Sequence, residues 1–259
     1  MITTTGNLTT LAYETAGTGT PVVLLHGLTF DRTSWRPIVD ELDGAVHTIA
    51  IDLPSHGESP GPPTSMEELT ARLHGQLGTL DIARPLLVGH SYGAAVASMY
   101  AASFPSLGLV TVDNGPELLP FAELVQRVAP MLRGPGFAEA WAMIENSLGL
   151  DQIPEPVQSL VRAGHRVDQD VVLGYWDPML NTPPADLQAY IDSVGAKITV
   201  PVLAVYGNPA SEGDRRRFQQ WPDVRVEEHP GDGHFVHLVD PARFAESLSR
   251  FITHCATTT

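Results

Sequence analysis

Apolar residues fall into two alternating patterns along the first half of the chain. Short apolar runs lie at residues 22–25, 46–51, 86–88 and 107–112. Between them, apolar residues recur at helical spacing: Trp35, Ile38, Val39 and Leu42, then Leu69, Leu73, Leu77 and Leu80. A run of small residues, 94–102, is also helical in character. An apolar run of four to six residues bounded by turn formers reads as a strand buried on both faces, the parallel type. Strand and helix alternating in this way predict a doubly wound, mostly parallel α/β sheet with right-handed crossovers. Residues 2–15 are Thr-rich and alternate weakly. They predict a first pair of antiparallel strands, closed by a turn at Gly17-Thr18-Gly19.

The alternation stops after residue 116. From 117 to 195 apolar residues recur only at helical spacing: Leu124, Val128 and Leu132, then Phe137, Trp141, Ile144 and Leu148, with further helices at 157–163 and 187–194. Pro130, Gly134-Pro135-Gly136, Pro154, Pro156, Pro178 and Pro183-Pro184 punctuate them. This stretch is too long for a simple connection and predicts a helical cap at 117–195, inserted into a core formed by 1–116 and 196–259. The sheet resumes at 200–206. A short helix at 215–221, a last strand at 224–229 and an amphipathic helix at 241–254 complete the chain.

Composition narrows the partners. A formal net charge of −15 in 259 residues disfavours nucleic acid and anionic membranes as partners. Arg215-Arg216-Arg217 reads as a solvated helix face. The one cysteine, Cys255, permits no internal disulfide and no Cys-based metal site. His237 follows His234 by three residues, but no carboxylate at matching spacing completes a metal site. No metal or other cofactor is expected. The first residues lack the charged and apolar regions of a signal peptide, and no run of about 18 apolar residues exists. The expected location is the cytoplasm.

The chemistry centres on Gly89-His90-Ser91-Tyr92-Gly93, a G-x-S-x-G pentapeptide between a predicted strand and a predicted helix. A serine on so sharp a turn needs small neighbours two positions away on either side, and Gly89 and Gly93 satisfy this. A serine hydroxyl is a poor nucleophile. It requires a base, and the base requires a carboxylate to hold its tautomer. In an open α/β sheet such groups collect at the carboxyl ends of the strands. Candidates there are Ser91, Asp113, His234 and the loop at His26. Of ten histidines, only His234 follows the last strand on a loop, between glycine and an aromatic residue. His26 and His90 read as organisers of nearby backbone. His165, with Asp168 and Asp170, reads as cap surface.

His26-Gly27, the loop 52–59 (D-L-P-S-H-G-E-S), the elbow at Ser91 and Gly231-Asp232-Gly233-His234-Phe235 occur in the order seen in the α/β-hydrolase superfamily, which this chain resembles. Ser55 stands where that family usually has glycine, a difference expected to be cosmetic. The resemblance implies a Ser91–His234 pair completed by an acid. In most of the family that acid follows the strand after the cap, as Gly-x-x-Asp. Here Gly207-Asn208-Pro209-Ala210 places alanine there. A variant of the family carries the acid one strand earlier, which implies Asp113. Asp214 and Glu212 remain alternatives. The oxyanion hole implied by the resemblance consists of the backbone N–H groups of Leu28 and Tyr92.

Serine at the elbow argues against the epoxide-opening and halide-displacing relatives, which use aspartate. The first expectation is acyl transfer: hydrolysis of a small to medium, mainly apolar carboxylic ester or lactone. Trp141, Met143, Tyr175, Trp176 and Met179 are candidate wall residues for it, with cap core as the other reading of them. A second expectation keeps the triad for C–C bond hydrolysis, perhydrolysis or lyase chemistry. A third is a non-catalytic relative that binds a small ligand or a partner.

Overall fold

The computed structural model describes residues 10–258. Seven strands form one sheet: β1 Tyr13–Ala16, β2 Pro21–Leu25, β3 His47–Ile51, β4 Leu86–His90, β5 Gly108–Val112, β6 Val202–Tyr206 and β7 Val224–Glu228. Their spatial order is β1-β3-β2-β4-β5-β6-β7. β1 runs antiparallel to β3, and every other pairing is parallel. The earlier partner strand expected within residues 2–9 lies outside the described residues.

The apolar runs are buried because helices cover both faces. The described residues hold twelve α-helices: α1 Arg36–Glu41, α2 Met66–Thr79, α3 Tyr92–Ser103, α4 Leu119–Leu132, α5 Phe137–Asn146, α6 Val157–Gly164, α7 Gln169–Tyr175, α8 Asp177–Asn181, α9 Pro184–Gly195, α10 Glu212–Phe218, α11 Val236–Val239 and α12 Pro241–Thr258. Alternate strand residues serve opposite faces, as the pleat requires. Val23, Leu25, Leu87 and Leu109 pack with Leu69, Leu73, Val96 and Tyr100 of α2 and α3. Val22, Leu24, Leu86, Val88 and Val110 pack with Ile38 of α1 and with Leu248 and Phe251 of α12. The edge strand β7 differs: Arg225, Glu227 and Glu228 put charge on it, which discourages further strand pairing. No helix among the described residues is long and apolar enough to cross a membrane.

Helices α4 to α9 form the insertion between β5 and β6. Its apolar residues continue the cluster that α2 and α3 begin, so the insertion rests on the sheet without a polar break. Helix α9 lies against α3, and α6 against the 3-10 turn Arg32–Trp35.

Several local expectations change. The helix predicted over 31–42 divides into that 3-10 turn, capped by Asp31, and α1, because Pro37 restarts the helix in its first turn. Pro130 does not end α4 but lies inside its last turn. Two short helices, α7 and α8, occupy 169–181; Asp168 caps the first by accepting from Asp170 N–H and Val171 N–H. α10 begins at Glu212, earlier than expected, because the Ser211 side chain accepts from Asp214 N–H. Its arginines are paired as well as solvated: Arg215 with Glu228, Arg217 with Asp192.

The largest change concerns α4. Leu124, Val128 and Leu132 recur at helical spacing and read as one apolar stripe. The buried stripe is Ala122, Val125, Ala129 and Leu132. Leu124 is 40% exposed and Val128 is half-buried, and both border a cavity. The helix therefore has two apolar faces. Leu132→Ala is expected to lower the stability to urea unfolding by about 2–5 kcal/mol. Leu124→Ala is expected to lower it by less than about 1 kcal/mol, since little packing is lost at a half-open site. Equal losses would mean that Leu124 is core.

Candidate active site

Ser91 joins β4 to α3 with φ 52° and ψ −120°, a left-handed backbone on a residue with a side chain. Such a conformation costs on the order of 1–3 kcal/mol and persists only where its surroundings impose it. The two glycines explain how it is imposed. A Cβ on Gly89 would overlap the backbone of Gly93 and Ala94, and one on Gly93 would overlap the carbonyls of Leu25 and His26. β2, β4 and α3 are in backbone contact here. Ser91 is held at the N-terminus of α3, whose first N–H groups have no partner inside the helix. Tyr92 is the first of them.

Asp113 follows β5 with φ 46°, also left-handed. Its Oδ2 is 2.8 Å from His234 Nδ1, and its Oδ1 accepts from Gly207 N–H at 3.2 Å. Both oxygens are thereby oriented. Gly207 heads the loop in which the family usually carries its acid. Here that loop contributes a backbone donor to Asp113 instead, while Ala210 N–H is turned to Glu228 Oε1 at 2.8 Å. The structure turns both alternative acids elsewhere. Asp214 is buried and accepts from Glu117 N–H at 2.8 Å, and its carboxylate lies where a side chain on Gly115 would be. Glu212 is 95% exposed and faces Arg216.

His234 sits on a 3-10 turn, Gly233–Phe235, after β7. Its carbonyl accepts from His90 Nε2 at 2.9 Å, and its N–H donates to Leu148 O at 3.3 Å. Sheet and insertion thus both hold it.

Three more histidines shape the loop after β2. His26 Nδ1 donates to Gly27 O at 2.8 Å and Nε2 accepts from Leu53 N–H at 2.9 Å. His56 Nδ1 donates to Pro54 O at 2.9 Å and Nε2 accepts from Thr29 N–H at 3.0 Å. His165, expected on the surface, instead stacks on Phe30 at 4.6 Å and reaches Thr29 Oγ1 at 3.0 Å. Thr29 itself is left-handed, at φ 71°, and its carbonyl accepts from Arg166 N–H at 2.8 Å. Leu28, between Gly27 and Thr29, is buried and borders the same cavity as Ser91. Single-chain spacing gave no sign of Thr29, His56 or His165, because their partners are 27 to 136 residues away.

Burial keeps these rings neutral. It lowers the His26 pKa to about 4 and those of His56 and His237 to about 3. His90 lies well below its ordinary value for the same reason.

A cavity of about 530 Å³ opens above the elbow, bordered by Ser91, His234, Asp113, Leu28 and Tyr92. Trp141, Met143 and Trp176 border it, and Met143 is 67% exposed. Tyr175 and Met179 do not. They border a second cavity behind Tyr92, and the Tyr175 hydroxyl donates to Pro54 O at 2.7 Å. Helical periodicity places residues on a face but not against a particular void. Phe121 and Leu124 were not anticipated in the wall.

The sequence profile of the alpha/beta hydrolase family matches residues 22–247. The chain belongs to that family. It is similar to an uncharacterised protein of Mycobacterium tuberculosis, 29% identical over 93% of this chain and 77% of the other. A 2-(acetamidomethylene)succinate hydrolase of Mesorhizobium japonicum is 26% identical over 94% of this chain and 91% of its own. Among solved structures, a thermophilic esterase from Thermogutta terrifontis superposes with a TM-score of 0.72 at 23% identity, covering 95% of this chain and 93% of that one. The protein is a hydrolase of this family, and its fold is the family's.

The buried histidines of this hydrolase make its stability depend on pH. Their folded pKa values lie below the ordinary 6.5, so the unfolded chain takes up protons first as pH falls. Their contribution is complete above about 6.5 and is lost as pH falls to about 4 for His26 and about 3 for His56 and His237. Each histidine removes up to about 1.4 kcal/mol per pH unit in that window. Urea midpoints measured from pH 7.5 to 4.5 are expected to fall steadily below 6.5. A flat profile would show that these rings are not held neutral.

Proposed function

We propose that this hydrolase cleaves carboxylic esters or lactones through an acyl-enzyme on Ser91, with His234 as base and Asp113 as its orienting acid. The Asp113–His234 hydrogen bond of 2.8 Å, beside Ser91 in one cavity, is the observation that carries this reading. In the first step His234 Nε2 takes the Ser91 proton as Oγ bonds to the substrate carbonyl carbon. The carbonyl oxygen gains charge, and the N–H groups of Leu28 and Tyr92 are the proposed donors to it. Collapse breaks the bond to the alkoxy oxygen, which receives the proton from His234. Water then attacks the acyl carbon by the same proton route and releases the acid and free Ser91. The Asp113 carboxylate holds the Nδ1–H tautomer and stabilises the imidazolium.

The wall supports an apolar substrate. Leu28, Phe30, Leu124, Val128, Trp141 and Ile144 border the cavity, and its charged side chains are those of Asp113 and, when protonated, His234. In this reading residues 117–195 act as the cap, since α4 and α5 supply much of that wall. A lactone fits the same chemistry, with the leaving alcohol still attached to the acyl-enzyme.

The test is hydrolysis of a panel of p-nitrophenyl esters and lactones. Ser91→Ala is expected to remove turnover and labelling by a fluorophosphonate. Asp113→Asn is expected to lower kcat by about 10⁴, the scale seen when a triad acid is made neutral. Asp214→Asn is expected to stay within a few-fold of wild type, because its remaining oxygen still accepts from Glu117. An inert wild type with an unlabelled Ser91 would overturn the proposal.

A further inference from the structure

The second cavity is as large as the first, about 530 Å³, and the two share a layer of lining side chains. Tyr92, Asn114, Leu118, Phe121 and Trp176 border both spaces. Phe121 and Trp176 meet edge to face at 5.7 Å, and Tyr92 meets Tyr175 in the same way at 4.8 Å. Beyond that layer the walls are mostly apolar: Ala95 and Met99 of α3, Leu187, Ile191 and Val194 of α9, and Trp221. Tyr92 is next to Ser91, so the shared layer begins one residue from the proposed nucleophile.

We propose that the second cavity receives the acyl chain of the ester cleaved at Ser91, which makes the substrate class esters of unbranched, medium-length fatty acids. The proposal rests on the serine-hydrolase reading of the first cavity. The direction follows from the chemistry. The leaving alcohol must stay within reach of the imidazole that protonates it. Both Ser91 and His234 border the first cavity, but only Ser91 has a chain neighbour, Tyr92, on the second; neither Gly233 nor Phe235 beside His234 borders it. The acyl group bonded to Ser91 is therefore the part that extends past Tyr92.

Size and chemistry agree with this occupant. If a methylene takes about the ~30 Å³ of a water molecule, a ten-carbon chain fills roughly 300 Å³. That is well within the second cavity and leaves the first for the alcohol. Each methylene moved from water into such walls is worth about fourfold in kcat/KM. The mouth of the first cavity is also apolar: Phe121, Leu124 and Met143 are exposed there.

Two readouts test the proposal. The first is kcat/KM for p-nitrophenyl esters from butyrate to dodecanoate. Wild type is expected to rise toward decanoate. Ala95→Phe, on α3, and Ile191→Phe, on α9, fill the second cavity from different sides. Each is expected to lower the decanoate-to-butyrate ratio at least tenfold. The second readout needs no turnover: methyl 10-bromodecanoate is titrated into the Ser91→Ala protein while tryptophan fluorescence is followed. Tail bromine is expected to quench a signal that Trp221→Phe removes, because Trp221 borders only the second cavity. Both filling substitutions are expected to weaken that binding at least tenfold. An unchanged ratio in both filled variants, or no quenching, overturns the proposal. If Ser91 is unlabelled and no ester turns over, the serine-hydrolase reading fails, and the acyl-chain proposal falls with it. Quenching would then identify the second cavity as a fatty-ester site without hydrolysis.

Discussion

The left-handed backbone at Ser91 is the constraint on which the rest of the site depends. It exists because α3 starts against β2 and β4 with no room for a Cβ at Gly89 or Gly93. The same strain recurs along this edge of the sheet. Thr29 follows β2 at φ 71°, Ser55 follows β3 at 62° and Asp113 follows β5 at 46°. Four neighbouring loops each hold a residue with a side chain where glycine is favoured. Each is tied down by other groups. His56 and Arg166 hold the Thr29 backbone, Ser55 Oγ donates to Gly61 O at 2.7 Å, and Gly207 N–H and His234 hold Asp113. Ser55 is thus more than cosmetic: it takes a strained glycine position and offsets part of the strain with its own hydrogen bond.

The ties are largely histidine rings. A neutral imidazole presents one donor and one acceptor at opposite sides of a rigid ring, so it can join two backbone segments that no short loop would bring together. His26 joins Gly27 to Leu53, and His56 joins Pro54 to Thr29. His90 is fixed by the carbonyl of His234. Such rings work only while uncharged, and burial keeps them so. The geometry of the candidate oxyanion loop and the acid sensitivity of the fold therefore have one cause.

The insertion is bound by a different logic. Its helices have no strands to order them and are held by apolar contact with α3 and with one another, and by single hydrogen bonds such as Arg166 N–H to Thr29 O and the Tyr175 hydroxyl to Pro54 O. α4 shows the consequence. One face, with Ala122, Val125 and Leu132, completes the core, while the adjacent face, with Phe121, Leu124 and Val128, borders the cavity over Ser91. The two large voids share Tyr92, Phe121 and Trp176 in their linings.

What the sequence determined by itself was the order of strands and helices, the elbow, and Asp113 and His234 as candidates. Those features depend on local pattern: apolar runs for buried strands, helical spacing, glycines flanking a serine, and loops placed after strands. Three things were decided only by tertiary structure. Which of Asp113, Asp214 and Glu212 lies against His234 turned on where a loop 121 residues beyond Asp113 comes to rest. The placing of His165 on Phe30 and Thr29 turned on how the insertion folds back over the first strands. The division of the aromatic residues between two cavities turned on packing, as Tyr175 and Met179 show. Periodicity reports which face of a helix is apolar. It does not report whether that face meets a neighbour or a void, because both bury the same kind of surface.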